Sequence, residues 1–261
     1  MKKSRKRWNQ VTDEIEYHVQ CKKDDFDGRY MLVVGDPGRS VRISKMLDNA
    51  KEVAHNREYH TFKGFYESVP VAVASCGIGC PSTAIGLEEF GRCGIDTFIR
   101  VGTSGGLQKF IEIGDIVIAN GAVRDEGTSA SYIFMNYPAI CDLDTTLALR
   151  TAAQKLGYRY HLGIIHSKDA FYTEHPDLCP MHESVAQRWK IWERANVYAT
   201  EMEISTMAVL GSLRGWRIGC VVAVVGSTVS GEPVVDHMKG QKEAIKVALQ
   251  ALKILNDQDN S

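Results

Sequence analysis

The chain has 261 residues, of which 44% are hydrophobic, and its 31 lysines and arginines nearly balance its 32 aspartates and glutamates. This length and apolar content suffice for one large α/β domain or two small ones with a hydrophobic core. The balanced charge excludes the broad basic field that attracts nucleic acids or membrane surfaces, and no apolar run approaches the roughly 20 residues that span a bilayer.

The N-terminal segment carries a basic cluster, KKSRKR, followed by the polar sequence WNQVTDEIEYH rather than by an apolar run. This order argues against a secretory signal peptide. We interpret residues 1–17 as a flexible, solvated tail, with RNA binding or targeting as the alternative, and residues 18–256 as one domain.

The positions of the cysteines and histidines indicate a reducing compartment and show no transition-metal motif. The seven cysteines include no CxxC pair, and several lie in apolar runs such as VAVASC and GCVVAVV. Such cysteines are typical of buried thiols in a reducing compartment, and we expect a cytoplasmic protein. The histidines are scattered and show none of the usual zinc-ligand spacings.

Short β-branched runs alternate with segments of helical spacing along the chain. The predicted strands are 30–34, 69–75, 97–101, 115–119, 162–165 and 218–225, and the predicted helices are 82–93, 145–156, 184–194, 202–214 and 240–255. This alternation predicts an α/β fold, a single-domain three-layer αβα sandwich around a central mixed, largely parallel sheet. We find no internal repeat or linker that would divide it.

Glycine-rich segments follow four of the predicted strands, at 35–39 (GDPGR), 76–82 (CGIGCPS), 101–106 (VGTSGG) and 225–232 (VGSTVSGE). Ligands of open α/β sheets collect at the carboxyl ends of the strands. We therefore predict four turns that share one pocket.

The segment GDPGR follows the apolar run YMLVV and brings Arg39 to the start of a helix. A strand, a glycine turn and a helix N-terminus form an anion site because free backbone N–H groups and the helix dipole face the ligand. The segment matches neither the P-loop nor the dinucleotide-binding pattern. An ordinary turn, built from residues with the required dihedral preferences, remains the alternative.

A second arginine, Arg100, lies inside the apolar strand of TFIRVGTSGG. An unpaired buried guanidinium is very unfavourable, so Arg100 needs either a carboxylate partner or a ligand anion. With Arg39 and Thr103 it would form a phosphate clamp, since the guanidinium fork matches phosphate geometry.

The sequence resembles the nucleoside phosphorylase family, which includes uridine phosphorylase and the hexameric purine nucleoside phosphorylases. The motifs that carry the resemblance occur in the family's order from about His18 to Leu255; they are VVGDPGR, NREYHTFKGFY, CGIGCPSTAIGLEEF, FIRVGTSGGLQ, GDIVIANGAVRDEG, SKDAFY and TEMEISTM. The resemblance implies that phosphate attacks the anomeric carbon of a nucleoside through an oxocarbenium-like transition state, without a covalent enzyme intermediate. No cofactor is then required beyond phosphate as co-substrate.

The resemblance also assigns roles to residues of this chain. It implies phosphate contacts from Gly35, Arg39, Arg57, Arg100 and Thr103, ribose contacts from His18, Met202 and Glu203, base contacts from Phe171, Glu174 and His175, and an intersubunit monovalent cation such as potassium at Glu58 and Ser82. In the family, the histidine and the NREY arginine reach the site of a neighbouring subunit. The resemblance therefore implies a homo-oligomer, a dimer at least and a hexamer built from dimers.

Each of these assignments has a simpler alternative. His18 can be a surface histidine, and Arg57 can belong to an exposed salt bridge. Thr200 and Glu203 have the spacing of a capping box, in which Glu203 would only serve the helix start. Met202 and Phe171 can be core residues.

The base-recognition segment departs from both branches of the family. Uridine phosphorylases carry a glutamine and an arginine after the SxDxFY motif, where this chain has Glu174, His175 and Asp177; purine enzymes carry an aspartate where this chain has Gly226 and Ser227. His175 can donate to a base carbonyl, whereas the Glu174 carboxylate can only accept. The length of segment 171–203 favours the uridine branch. A purine phosphorylase, a nucleosidase that uses water and a non-catalytic nucleoside-binding protein remain as alternatives.

Overall fold

The computed structural model describes residues 11–227 and 238–261. The basic cluster of the predicted tail and most of the glycine-rich segment 225–232 lie outside these residues. The remainder of the predicted tail, 11–17, contacts the domain: the Thr12 N–H donates to the carbonyl of Arg92, and the buried Glu16 accepts from the Arg92 guanidinium with an Oε2–Nη2 distance of 2.6 Å.

The described residues form ten strands and seven α-helices. The strands are β1 (Tyr30–Val34), β2 (Asp48–Asn56), β3 (Tyr59–Tyr66), β4 (Val69–Ser75), β5 (Thr97–Gly106), β6 (Ile116–Asp125), β7 (Ala139–Ile140), β8 (Tyr160–Lys168), β9 (Ala199–Glu201) and β10 (Arg217–Ser227). The helices are α1 (Pro37–Ser44), α2 (Cys80–Arg92), α3 (Thr128–Tyr132), α4 (Leu143–Leu156), α5 (His182–Arg194), α6 (Ile204–Arg214) and α7 (Gln241–Asp259). Three 3₁₀ turns span Lys23–Asp25, Phe171–Glu174 and Pro176–Leu178. No helix in these ranges combines the length and the apolar character needed to cross a membrane.

The central sheet has a parallel core, in which β1 lies between β4 and β5. Successive side chains of β1 face opposite sides of the sheet. Met31 and Val33 pack in the core that α2 and α6 cover, whereas Leu32 and Val34 pack in the core that α1, α4 and α7 cover. Helices on both sides of a mixed sheet confirm the predicted three-layer architecture.

One part of the sheet closes on itself. β5 pairs with β10 along its length and with β9 at its C-terminal end, and the path β10, β6, β8, β9 returns to β5. The predicted turn at 101–106 is therefore wrong, because β5 continues through it. Glycines suit this close pairing: a Cβ at Gly102 would lie 3.0 Å from Val222 Cγ1, and one at Gly106 would lie 3.2 Å from Val224 Cγ1.

Candidate active site

A cavity of about 830 Å³ opens at the carboxyl ends of β1, β5, β8, β9 and β10. This volume is in the usual range for sites that bind small molecules. Nine of the residues expected to contact phosphate, ribose or base line it: Gly35, Arg39, Arg100, Thr103, Phe171, Glu174, His175, Met202 and Glu203. The sheet topology thus brings together residues from four separate parts of the chain.

The turn after β1 does not offer free helix amides to an anion. The Asp36 carboxylate caps α1 by accepting from the Gly38 N–H at 2.8 Å, and the Asp36 carbonyl accepts from the N–H groups of Arg39 and Ser40. The expectation of open N–H groups at this helix start is wrong. The group at this turn that can attract an anion is the Arg39 guanidinium.

Arg39 is a buried cation whose hydrogen-bond acceptors are neutral oxygens. Only 7% of the residue is exposed, and its guanidinium donates to the side-chain oxygen of Gln241 at 3.2 Å and to the carbonyl of Val101 at 3.1 Å. Among the described residues, none of the ion pairs includes Arg39. Burial, with the nearby charge of Arg100, lowers the pKa of Arg39 to about 10. The Asp36 and Glu203 charges offset this effect only in part, and a bound anion would further stabilise the cation.

Arg100 is held by two carboxylates. Its Nε donates to Glu201 Oε2 at 2.7 Å, and its Nη2 makes a close ion pair with Glu203 Oε2. Of the two partners expected for this buried arginine, a carboxylate or a ligand anion, the structure shows carboxylates. The Arg100 side chain also lines the cavity. Burial alone would lower the pKa of Arg100, but the Glu203 and Glu201 charges raise it above its ordinary value.

The start of α6 separates the roles of two neighbouring glutamates. The Glu201 carboxylate accepts from the backbone N–H groups of Glu203 and Ile204, at 2.9 and 3.1 Å, and so caps the helix. The capping-box interpretation of Glu203 is wrong. The Glu203 carboxylate instead accepts from the Gly79 N–H at 2.6 Å and lines the cavity.

Glu203 carries a perturbed carboxyl group. Its burial raises its pKa above the ordinary 4.5, the Arg100 charge opposes this, and the Glu201 charge adds to it. The carboxylate is held by the backbone N–H groups of Gly79 and Met202 and by the Arg100 guanidinium, and its remaining acceptor capacity is suited to ligand hydroxyls.

Phe171, Glu174 and His175 also line the cavity, and we refer to the part that they form as its base end. Phe171 is 47% exposed, so the alternative of a core aromatic is wrong. Glu174 pairs with Lys168, with an Nζ–Oε1 distance of 2.7 Å. The Lys168 Nζ also lies 5.8 Å from the centre of the Phe171 ring.

Sequence reasoning missed Lys168 and Glu201. Lys168 is buried, with 4% of the residue exposed, and it lines the cavity at the end of β8. The available signal was a lysine at the carboxyl end of the apolar run HLGIIHSK, where a buried strand would not ordinarily carry a charge. For Glu201 the signal was its position two residues before Glu203.

His18 and Arg57 lie outside the residues that line this cavity. His18 Nδ1 lies 2.6 Å from Glu89 Oε1, and the Asn56 side chain donates to the His18 carbonyl at 2.8 Å. Arg57 is exposed in the turn between β2 and β3, and no ion pair of the described residues involves it. The two side chains thus belong to one surface region, joined through Asn56.

Glu58 and Ser82 both lie beside Gly77. A Cβ built at Gly77 would be 3.0 Å from Glu58 Cγ and 3.6 Å from Ser82 Oγ. Within residues 11–227 and 238–261, no group of three or more His, Cys, Asp or Glu side chains could hold a metal ion. The monovalent cation at Glu58 and Ser82 stays a prediction.

Comparison with known proteins gives matches over most of the chain. The sequence pattern of the phosphorylase superfamily matches residues 29–256. Uridine phosphorylase of Thermococcus kodakarensis is 46% identical over 253 residues, which cover 96% of this chain and 90% of that protein. Guanosine phosphorylase of Halorubrum lacusprofundi is 40% identical over 200 residues, which cover 77% of this chain and 79% of that protein.

The fold has a close counterpart among solved structures. The crystal structure of uridine phosphorylase from Vibrio fischeri ES114 matches with a TM-score of 0.83 and 31% sequence identity, covering 92% of this chain and 97% of that one. The resemblance that the motifs indicated is confirmed. Because the superfamily pattern, the full-length relative and the solved structure agree, the chain belongs to the phosphorylase superfamily.

Proposed function

We propose that the chain catalyses the phosphorolysis of a nucleoside, uridine or a related pyrimidine nucleoside, to free base and ribose 1-phosphate. The matches to uridine phosphorylases over more than 90% of the chain support this activity. The observation that carries it is the buried Arg39, which lacks a carboxylate in its ion-pair range and faces the same cavity as Glu203.

We assign three groups of cavity-lining residues to the two substrates. Phosphate would bind between Gly35, Arg39, Arg100 and Thr103, ribose hydroxyls would bind Glu203 beside Met202, and the base would stack on Phe171 near Glu174 and His175. The phosphate dianion, held next to the anomeric carbon, would stabilise the positive charge that develops there. Arg39 and Arg100 would keep the nucleophile oriented while water is excluded.

We further propose that two subunits complete each site. His18 would reach the ribose 5′-hydroxyl and Arg57 the phosphate of a neighbouring subunit, in a dimer at least and a hexamer built from dimers. Their common surface region outside the chain's own cavity supports this arrangement. A monovalent cation at Glu58 and Ser82, and a cytoplasmic location, complete the proposal.

A purine nucleoside is the second candidate substrate. The match to a guanosine phosphorylase favours it, and the glutamine and arginine that read uracil in uridine enzymes are absent after SKDAFY. Release of free base from uridine, thymidine, inosine, guanosine and adenosine, each with and without inorganic phosphate, tests both candidates. Release without phosphate would indicate a nucleosidase, and binding without release would indicate a nucleoside-binding protein.

Replacing Glu203 with glutamine is expected to lower kcat/KM for the nucleoside by about 10- to 100-fold, because one charge-assisted acceptor for the ribose hydroxyls is lost. Because the pKa of Glu203 is raised, its carboxylate takes up a proton at a higher pH than an ordinary glutamate does. The activity of the unmodified enzyme should therefore begin to fall at that higher pH as the solution is acidified. The glutamine variant should lack this acid limb. A pH–rate profile with an unchanged acid limb would contradict the assignment, and Glu112→Gln, at an exposed position, serves as the control.

Mixing an Arg57→Ala protein with a Glu203→Ala protein should restore part of the activity that each lacks alone. A mixed dimer can contain one site in which both residues are intact, provided that Arg57 acts across the subunit interface. The measurement is phosphorolysis after subunit exchange, which is verified by mass spectrometry of differently tagged chains. Verified exchange with no recovered activity would show that the sites are not shared.

A further inference from the structure

At the base end of the cavity, Glu174, which the family resemblance already assigns to the base, is paired with the buried Lys168, to which neither the resemblance nor the phosphate clamp assigns a role. Lys168 and Glu174 lie 2.7 Å apart, with their side chains 5% and 16% exposed, and both line the cavity beside Phe171. A surface ion pair would add little to stability. A buried pair at the edge of a binding cavity presents a fixed donor and a fixed acceptor to the ligand.

A chain of hydrogen bonds fixes the direction of the Lys168 ammonium. Its Nζ donates to Thr200 Oγ1 at 3.0 Å, and the same hydroxyl lies 3.0 Å from His166 Nδ1. His166 Nε2 lies 3.0 Å from Asp125 Oδ2. When His166 donates to Asp125, its Nδ1 accepts the Thr200 hydroxyl proton, and Thr200 then accepts from Lys168. Every group in this chain has a partner of the right polarity.

This arrangement leaves binding capacity for a ligand. An ammonium has three N–H donors, of which Thr200 and Glu174 take two, and a carboxylate has about four acceptor positions. Because both side chains line the cavity, the third Lys168 donor and the remaining Glu174 acceptors can serve one ligand together. A donor next to an acceptor is complementary to a C=O group next to a ring N–H.

We propose that Lys168 and Glu174 are the residues that determine base specificity, with Lys168 donating to a base carbonyl and Glu174 accepting from the adjacent ring N–H. The substrate class is then nucleosides whose base has this lactam edge, namely uracil, thymine and the 6-oxopurines. This inference rests on the proposed function and deepens it. It also accounts for a chain that lacks the glutamine and arginine of uridine enzymes and yet matches both uridine and guanosine phosphorylases.

Bases with an amino group at this edge have the opposite polarity. Cytosine and adenine present an amino donor beside a bare ring nitrogen, so their donor would face Lys168 and their acceptor would face Glu174. Sites whose buried polar groups are left unpaired reject the wrong substrate strongly. We expect kcat/KM for uridine to exceed that for cytidine, and kcat/KM for inosine to exceed that for adenosine, by at least about 100-fold.

Lys168 should also assist the reaction itself. As the bond between ribose and base breaks, negative charge accumulates on the base carbonyl that Lys168 contacts. A fixed cation at that position stabilises the transition state more than the bound substrate, so its removal should lower kcat more than it raises KM.

The test uses two variants, each with a matched control. Glu174→Gln keeps an acceptor for Lys168 but can also donate to a bare ring nitrogen, so the uridine to cytidine ratio of kcat/KM should fall at least tenfold. Lys168→Met should lower kcat with uridine about 100-fold while KM for phosphate stays the same, and Lys168→Arg should recover part of the loss. The controls Glu183→Gln and Lys190→Met are exposed residues that do not line the cavity.

Several outcomes would overturn the inference. An unchanged uridine to cytidine ratio in Glu174→Gln would do so, as would a Lys168→Met variant that keeps its fold by circular dichroism and the kcat of its control. If Lys168→Met does not fold, the uridine to cytidine ratio of kcat/KM in Glu174→Gln tests the inference by itself. If the unmodified protein cleaves no nucleoside with phosphate, the proposed function fails, and calorimetric titration with uracil and with cytosine tests the pair separately. Equal binding of the two bases would refute it.

Discussion

Replacement of Arg100 with methionine is expected to lower the free energy of unfolding by about 3–5 kcal/mol and to abolish phosphorolysis. The change leaves the Glu201 and Glu203 carboxylates buried and facing each other without the cation that now contacts both. Removing one partner of a buried ion pair is far more destabilising than the pair itself is stabilising, because the remaining charges stay desolvated. The phosphate would lose a guanidinium at the same time.

Urea unfolding and phosphorolysis measure the two effects of the Arg100 change separately. The double variant Arg100→Met with Glu203→Gln should recover part of the stability, since one of the stranded charges is neutralised, but it should remain inactive. The control is Arg29→Met, which removes an exposed ion pair with Asp96 and should change stability by less than about 1 kcal/mol. Equal stabilities of Arg100→Met and Arg29→Met would contradict the structural role of Arg100.

Replacement of Arg39 with methionine is expected to lower kcat/KM for phosphate by about 10²- to 10³-fold with little loss of stability. Its hydrogen-bond acceptors are neutral and its ion-pair range contains no carboxylate, so the change breaks no direct ion pair, and removal of a desolvated charge offsets the lost hydrogen bonds. The loss should therefore appear in phosphate use, in contrast to the Arg100 variant. Steady-state kinetics at varied phosphate concentration provide the measurement.

Arg42 provides the matched control for this change. It lies one turn further along α1, pairs with Asp36 at 3.0 Å and is not among the residues that line the cavity. Arg42→Met should leave the phosphate KM within about twofold of the unmodified value. An Arg39→Met enzyme with the same phosphate dependence as Arg42→Met would show that Arg39 is not part of a phosphate site.

Those parts of the fold that depend on local pattern could be predicted from the sequence. The apolar runs at 30–34 and 69–75 are the strands β1 and β4, with the same boundaries, because a strand buried on both faces requires apolar side chains at every position. The sequence also predicted that Arg39 and Arg100 lie in one pocket, since the parallel topology that alternating strands and helices imply brings the carboxyl ends of the strands together. Glu203 was assigned to the same pocket by the family resemblance.

Other strands carry no such local pattern. The hairpin of β2 and β3 was not predicted, because β2 reads DNAKEVAHN and is largely exposed; it forms by pairing with β3, which in turn pairs with the buried β4. The closure of β5 onto β9 and β10 was missed for a similar reason. The glycines of β5 are typical of a turn in the sequence. They belong to a strand because β5 pairs closely with β10, whose Val222 and Val224 lie against them.

The family and the layer architecture could be predicted from the sequence, because both depend on residue type and order along the chain; the phosphate and ribose contacts remain predictions. The roles of Glu201 and Glu203 depend on tertiary contacts. Glu201 caps α6 and Glu203 faces the cavity because α6 begins at Ile204, and Lys168 meets Glu174 because β8 ends beside the 3₁₀ turn at Phe171–Glu174. Such contacts form when segments that are distant in sequence pack together, so the local sequence pattern of either segment alone does not predict them.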